Sequence, residues 1–133
     1  MLQKLAFAAA LTLAVPTVAG AAAPIAGKWT NPKGSVVIQM APCGPAWCGR
    51  VVSATAKARA DAREGGTGDL IGKNLLSGFK PDGKGGWSGR VFLPKRNMHA
   101  TGTIRAVGGD ALSVKGCALA GVICKEQRWR RVG

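Results

Sequence analysis

The sequence contains no tyrosine, one histidine and six carboxylates in 133 residues. Nineteen lysines and arginines oppose those six acids, so the formal net charge is +13. Acid–base catalysis usually depends on histidine or on paired carboxylates, and no motif here joins a nucleophile, a base and an orienting group. We therefore expect no enzymatic activity, no cofactor and no metal site.

The N-terminus matches a secretory signal peptide. An apolar run at residues 5–18 follows Lys4, and residues 19–21 read Ala-Gly-Ala, a small-x-small cleavage signal. The run is too short to span a bilayer, and Pro16 interrupts it. The sequence therefore predicts a signal peptide at 1–21 and one domain at 22–133. That domain is expected to be periplasmic or secreted and not integral to a membrane.

Four cysteines occur, at positions 43, 48, 117 and 124. An even number in an exported chain indicates disulfides. A zinc site and free thiols are the alternatives, but the C-x4-C and C-x6-C spacings differ from the C-x2-C typical of zinc or thioredoxin chemistry. We expect two disulfides.

Alternating apolar and polar residues predict half-buried strands, and turn residues separate them. An all-β fold follows, a small antiparallel meander that closes into a barrel of about eight strands. The expected strands are 27–31, 35–42, 47–54, 73–79, 86–93, 97–107, 110–118 and 122–132.

One segment departs from this pattern. Residues 54–64 are rich in alanine and arginine, and two glycines at 65–66 would end a helix. Such a short helix is marginal alone. The segment is either a lid packed on the barrel mouth or a mobile basic loop.

Two hairpin registers bring the cysteines together. A connection at residues 45–46 places Cys43 opposite Cys48 and Met40 opposite Val51. The second connection, at residues 120–121, has the sequence Ala-Gly instead of the favoured Asn-Gly. Its register aligns cysteines, opposite charges and apolar residues at once: Cys117 with Cys124, Lys115 with Glu126, and Leu112 with Trp129.

The second register also directs polar residues toward the barrel interior, among them Lys125, Gln127 and Arg131. Lys125 and Arg131 could reach water at the rims, they could satisfy internal carbonyls or waters, or the set could line a cavity. The third alternative defines a candidate site for a small amphipathic or anionic ligand. Its walls would be Trp87, Met98 and Trp129, and its polar anchor Lys125 and Gln127.

The sequence Gly27-x-Trp29 opens the first strand, and Arg130 and Arg131 nearly end the last. This arrangement resembles the calycin superfamily of lipocalins and fatty-acid-binding proteins. In those proteins a basic residue of the last strand stacks on the tryptophan of the first. The resemblance implies that Arg131, or alternatively Arg130, stacks on Trp29 as a structural clasp.

A larger set of motifs extends over nearly the whole expected domain. Its members are Gly27-x-Trp29, Pro42-Cys43-Gly44-x3-Cys48-Gly49-Arg50-Val51-Val52, Gly78-Phe79, Trp87-x-Gly89, Gly116-Cys117-x6-Cys124-Lys125 and Gln127-x-Trp129-x-Arg131-Val132. In this set the chain resembles small exported bacterial proteins, the domain of unknown function 2147 family. The resemblance implies an envelope protein with a lipocalin-like barrel but no defined activity. The chain departs from that family's pattern at residues 55–72 and 94–97, which are unusually rich in alanine or basic residues.

The excess of positive charge offers a second functional hypothesis. A basic surface is expected at Arg50, Lys95, Arg96, Arg128 and Arg130. It either keeps the protein soluble or attracts anionic envelope components or a partner protein. Nucleic acid is not an expected partner, because the tryptophans look structural and the chain looks exported. A small ligand inside the barrel is the first hypothesis, and this cationic exterior is the alternative.

Overall fold

The computed structural model describes residues 24–118 and 120–133, so the expected signal peptide lies outside the described residues. Eight strands form a closed barrel in which each strand pairs antiparallel with the next and the last returns to the first. The elements are β1 (Gly27–Thr30), β2 (Val36–Cys43), β3 (Ala46–Ala54), α1 (Ala56–Glu64), β4 (Asn74–Pro81), β5 (Trp87–Leu93), β6 (Met98–Val107), β7 (Ala111–Ala118) and β8 (Ile123–Arg131).

The strands lie where the alternation of apolar and polar residues predicts them. In β2, Val36, Ile38 and Met40 are buried, while Gln39 between them is exposed. β-strands turn alternate side chains to opposite faces, so this strand gives one face to the core and one to water. The predicted all-β barrel of eight strands is confirmed, with element bounds within two residues of expectation.

The connections divide the barrel into two ends. The β1–β2, β3–β4, β5–β6 and β7–β8 connections lie at one end, which we call the helix end because α1 belongs to it. The other three connections lie at the opposite end, together with Pro24 and Ile25. We call this the clasp end, for the contact between β1 and β8 described below.

The helix α1 crosses the mouth at the helix end. The backbone N–H of its N-cap residue, Thr55, donates to the Ser35 carbonyl in the β1–β2 turn, at 2.9 Å. At its other end, Gly65 packs so closely on the Lys95 carbonyl of the β5–β6 turn that a Cβ would overlap it. Those two turns stand on opposite sides of an eight-stranded barrel. The helix therefore spans the barrel from side to side.

The apolar side of α1 completes the core. Ala62 is buried and Ala58 packs against the buried cluster. The Thr55 hydroxyl accepts from the Ala58 N–H at 3.1 Å and caps the helix. Of the two alternatives for this segment, the structure shows the packed lid. Among the described residues, no helix is long and apolar enough to cross a membrane.

The barrel interior is filled by side chains. Gly89 of β5 lies opposite Gly102 of β6, which lies opposite Gly116 of β7. A Cβ on Gly89 or Gly102 would overlap the ring of Phe79 or the side chain of Val91. These glycines therefore leave the room into which Phe79 and Val91 pack, and both residues belong to or pack on one continuous apolar cluster.

The register of the β2–β3 hairpin differs from the expected one. Cys43 pairs with Ala46, and Cys48 pairs with Ala41, so the cysteines are diagonal neighbours and not directly opposed as expected. The expected tip at residues 45–46 is wrong, because the connection is Gly44-Pro45. Gly44 has φ 65°, which suits the first central position of a tight hairpin turn and which a glycine adopts readily.

The shift is two residues, so it preserves the faces of both strands. Val51 pairs with Ile38 instead of Met40, and all three remain buried. The diagonal cysteines are still near enough to join, with 5.8 Å between the Cα atoms of Cys43 and Cys48. The expectation that these two cysteines form a disulfide is confirmed.

The β7–β8 hairpin has the expected register where residues 111–118 pair with 123–130, with Cys117 opposite Cys124 in a disulfide and 4.1 Å between their Cα atoms. Lys115 lies opposite Glu126, and Leu112 lies opposite Trp129. Both residues expected at the tip are left-handed, with φ 54° at Ala120 and 84° at Gly121. The turn thus has the geometry that favours Asn-Gly, although alanine takes the first position.

Candidate functional site

The clasp end is held by one arginine. The Arg131 guanidinium lies over the indole ring of Trp29, with 4.2 Å between its central carbon and the ring centroid. Its N–H groups donate to the carbonyls of Gly109, Ala26 and Pro24 at 2.9, 2.7 and 3.1 Å. One side chain therefore ties β8 to the β6–β7 turn and to the segment before β1. This is the contact that the resemblance to calycins implies.

The glycine of Gly27-x-Trp29 has a physical role in this contact. Gly27 has φ 111°, and a Cβ there would stand 2.7 Å from Arg131 Nη1. Trp29 is fully buried, and its indole N–H donates to the Ile25 carbonyl at 3.0 Å. The motif thus combines a close backbone approach with a fixed ring, and both serve the structure.

The five residues expected to line a ligand cavity do not come together. Trp87 lies toward the clasp end, whereas Met98 begins β6 at the helix end and is 37% exposed. Trp129 is buried against Leu112, and Lys125 and Gln127 are exposed. The structure therefore does not gather these five residues around one interior space, and Trp129 belongs instead to the buried apolar cluster.

The exposure of Lys125 and Gln127 has a specific cause. Both have the inward orientation of their strand, as the register predicts. However, β1 pairs with β8 only at Arg130 and Arg131. The barrel wall beside the first half of β8 is absent, and these two side chains reach water.

One buried polar atom nearby has no partner. Trp129 is 7% exposed, and among the described residues its indole Nε1 makes no hydrogen bond within the protein. A buried N–H without a partner is unfavourable and normally has a partner or a water. Trp129 follows Gln127 on the same face of β8, next to the part of the strand that lacks a neighbour on the β1 side.

The expected basic residues are all exposed. Arg50 lies on β3, Lys95 and Arg96 in the β5–β6 turn, and Arg128 and Arg130 on β8. The strands β1 and β2 separate Arg50 from the pair on β8. The positive charge of these residues is therefore distributed around the barrel.

An open groove of about 500 Å³ lies on the surface at the helix end, where β6 begins and β7 ends. It combines cationic and apolar walls. The lining residues are Arg90, Met98, His99, Ala100, Thr101, Cys117, Ala118, Ala120 and Gly121. Of the residues expected to hold a ligand, only Met98 is among them.

The cationic wall of this groove is available for binding. Among the described residues, Arg90 makes no ion pair or side-chain hydrogen bond. The ring of His99 packs beside Phe92, 5.0 Å between centroids, and Lys73 lies over that same Phe92 ring at 5.0 Å. None of the lining residues in the described chain is acidic. Sequence analysis missed Arg90, because an isolated arginine on a strand carries no motif.

A second polar cluster organises the β4–β5 turn at the clasp end. Asp82 Oδ1 accepts from the backbone N–H groups of Lys84 and Gly86, at 2.7 and 3.0 Å. These bonds, with the positive charge of Arg105 3.7 Å from Asp82 Oδ2, hold the pKa of the carboxyl below its usual 3.8. The carboxylate is a turn-forming group, and we assign it no ligand.

The closed meander of eight strands, with a clasp between the first and the last, defines a lipocalin-like barrel. A solved structure, protein HP1028 from the human pathogen Helicobacter pylori, which is assigned to the lipocalin family, resembles it. The TM-score is 0.63 at 12% identity, over 82% of this chain and 83% of that chain. The chain belongs to the bacterial family described as an uncharacterized protein conserved in bacteria (DUF2147), whose family model matches residues 27–131. No curated protein matches the chain.

The two disulfides are relevant to the cellular location of the protein. All four cysteines are paired, within the hairpins β2–β3 and β7–β8. Disulfides persist in oxidising compartments and are rare in the bacterial cytosol. Together with membership of a bacterial family, they fit an extracytoplasmic location.

Proposed function

We propose that this protein is an exported lipocalin-like barrel that binds a small amphipathic anion, and that the ligand occupies the helix-end groove, not the barrel interior. The observation that carries the proposal is Arg90, an unpaired cation in a groove with apolar walls. Ligand sites are typically concave and apolar, with a few polar groups that fix the orientation. The volume of about 500 Å³ is in the range of such sites.

The choice of an anion follows from the charges. Arg90 and His99 line the groove, and Lys73 lies beyond Phe92 on the same surface. A carboxylate or phosphate can take two parallel hydrogen bonds from a guanidinium. Met98 and the alanines of the groove then contact the apolar part of the ligand.

The proposed site is rigid on its β7 side. The disulfide from Cys117 to Cys124 fixes the end of β7, and the Thr101 hydroxyl donates to the Cys117 carbonyl at 3.1 Å. A preformed wall loses little conformational entropy when a ligand binds. The proposed periplasmic or secreted location keeps this disulfide intact.

The test is a calorimetric titration of the oxidised protein with three probes of equal chain length, namely octanoate, octyl phosphate and octanol. We expect the two anions to bind and the neutral alcohol to bind at least about tenfold more weakly. The variant Arg90→Gln should abolish this preference. The matched control Arg130→Gln removes the same charge from the far end of the barrel and should leave the affinity unchanged.

Two results would contradict the proposal. One is the absence of binding by any probe at millimolar concentration. The other is a loss of binding in Lys125→Ala with no change in Arg90→Gln, which would move the ligand to the opening beside Trp129, where the indole N–H lacks a partner.

The exposed cations favour a second candidate function, attachment to anionic envelope components. It rests on the exposure of all five basic residues expected from the sequence. Such binding should weaken steeply between about 0.05 and 0.2 M salt. Cosedimentation with anionic and neutral vesicles tests it. Binding that persists in Arg90→Gln but disappears with salt would identify the surface and not the groove.

A further inference from the structure

The strand β8 has one side without a neighbour. Its residues 123–130 pair with β7, but on the other side only Arg130 and Arg131 pair with β1. Over the described residues, 123–129 therefore present an unpaired backbone edge to the β1 side. The barrel closes through these two residue pairs and a hydrogen bond from the Val132 N–H to the Lys28 carbonyl at 2.9 Å, and the rest of β8 extends past them.

The local sequence explains why β1 cannot cover this edge. The side chain of Asn31, immediately after β1, accepts from the backbone N–H groups of Ser35 and Val36 at 2.8 and 3.0 Å. The Thr30 hydroxyl donates to the Val36 carbonyl at 2.9 Å. These bonds fix a turn directly after Thr30, and the chain leaves the barrel wall there.

The edge is accessible and carries apolar anchors. All residues of 123–128 are exposed, in contrast to the alternating burial of β2. Ile123 is 51% exposed, and Val122 beside it is 81% exposed. An unpaired strand edge next to exposed apolar residues is a template for the addition of another strand.

The edge is also held in a fixed conformation. The Cys117–Cys124 disulfide joins the hairpin near its tip. Lower down, the Ser113 hydroxyl donates to the Glu126 carboxylate. A strand fixed in this way need not be ordered when a partner binds.

We propose that the free edge of β8, residues 123–129, binds an extended acidic segment of a partner protein, which adds a strand antiparallel to β8. Backbone hydrogen bonds along the edge supply the affinity in this mode of recognition, and alternate side chains supply the specificity. The ligand groove lies on the β6 side of the same hairpin, so this proposal is independent of it.

The charges of the edge define the partner. Lys125 and Arg128 are exposed on β8, while Glu126 is engaged by Ser113 of β7. Directly opposed side chains attract when their charges are opposite and repel when they are alike. An antiparallel partner therefore has an acid opposite Arg128, an acid opposite Lys125 and an apolar residue opposite Ile123. From its N-terminus the segment has the pattern acid-x-x-acid-x-apolar.

The same charges argue against a second copy of this chain as the occupant. Paired β8 edges would bring Lys125 and Arg128 of both copies onto one short ribbon, and a single acid, Glu126, would accompany them on each strand. Basic residues on exposed edges are a known barrier to self-pairing.

A synthetic peptide tests the proposal. The probe contains Glu-Thr-Thr-Glu-Thr-Val, and its control replaces both glutamates by lysine. Fluorescence anisotropy with the oxidised full-length protein should show at least tenfold tighter binding of the acidic peptide. The double variant Lys125→Glu, Arg128→Glu should reverse that preference. Both side chains are exposed, so the variant is expected to fold, and its unfolding curve checks this.

Amide hydrogen exchange locates the complex. Binding of the acidic peptide should protect amides within 123–129, and a peptide with N-methylated backbone amides should neither bind nor protect them. The proposal is overturned if the peptide fails to bind at millimolar concentration, if the charge-reversed variant keeps the original preference, or if protection appears elsewhere. A concentration-dependent dimer that protects the same amides would also overturn it, in favour of a second copy.

Discussion

Val91 occupies the space that a side chain on Gly102 would need, and the ring of Phe79 lies beside it. A Cβ at Gly102 would lie 3.3 Å from Phe79 Cζ and would overlap Val91. The neighbouring Gly116 belongs to the same row across the sheet, and a Cβ there would find its nearest atoms at 3.9 Å, in ordinary contact. Two adjacent glycines thus have different tolerances for a methyl group.

Gly102→Ala should therefore destabilise the barrel by about 1–3 kcal/mol, because overfilling a packed core displaces its side chains. Gly116→Ala is the control and should change the free energy of unfolding by less than about 1 kcal/mol. Chemical denaturation followed by tryptophan fluorescence measures both. Equal losses in the two variants would contradict the packing argument.

Removal of Arg131 should open the clasp end. Arg131→Ala loses the stacking on Trp29 and three hydrogen bonds to carbonyls. Stacking of this kind is worth about 0.5–2 kcal/mol, so we expect a loss of about 2 kcal/mol or more in the free energy of unfolding. Arg130→Ala, at an exposed neighbour, should cost under about 0.5 kcal/mol. A similar effect of both substitutions would show that charge alone, and not the contact, is important.

Asp82 should make stability depend on acidic pH. Because its pKa is lower in the folded protein than the ordinary 3.8, the carboxylate stabilises the fold at pH values above 3.8. That stabilisation is lost as the pH falls through the lowered pKa. The isosteric Asp82→Asn protein should thus be less stable than the original at neutral pH, and the difference should disappear in acid. Urea denaturation at a series of pH values measures it, and a difference that grows in acid would contradict the assignment.

The tip of the β7–β8 hairpin should tolerate asparagine better than alanine. Ala120 has φ 54°, a conformation that costs an alanine about 1 kcal/mol and that asparagine adopts more easily. Ala120→Asn is expected to raise the free energy of unfolding by about 0.5–1 kcal/mol. Ala120→Val should lower it, because a branched side chain is strained there. Thermal unfolding of the two variants orders them, and the reverse order would refute the turn geometry.

Most of the barrel could be predicted because its strands and hairpins depend on residues that are close together in the sequence. Alternation in β2 identifies the buried face, and three kinds of pairing agree on the register of β7 with β8. The predicted register of β2 with β3 was wrong by two residues. Several connections would bring Cys43 near Cys48, and the sequence pattern does not show whether the two cysteines are directly opposite or diagonal neighbours. The left-handed Gly44 is what selects the connection.

The candidate sites were less predictable because they depend on where strands stop. The inward orientation of Lys125 and Gln127 is a property of β8 alone, but their exposure depends on the turn that Asn31 forms in a distant part of the chain. Arg90 becomes a groove residue only when β5, β6 and the β7–β8 turn meet. Neither the exposure of Lys125 and Gln127 nor the position of Arg90 in the groove can be predicted from the spacing of nearby residues.

The contact between Arg131 and the segment before β1 also determines when the barrel can close during synthesis. Arg131 donates to the carbonyls of Ala26 and Pro24, which precede it by 105 and 107 residues. During synthesis, β1 can pair with β2 early, but its second neighbour does not exist until the ribosome has reached β8. Contacts between such distant residues form late and slowly. A nascent chain of this protein therefore cannot close its barrel until nearly all of the described residues have been synthesised.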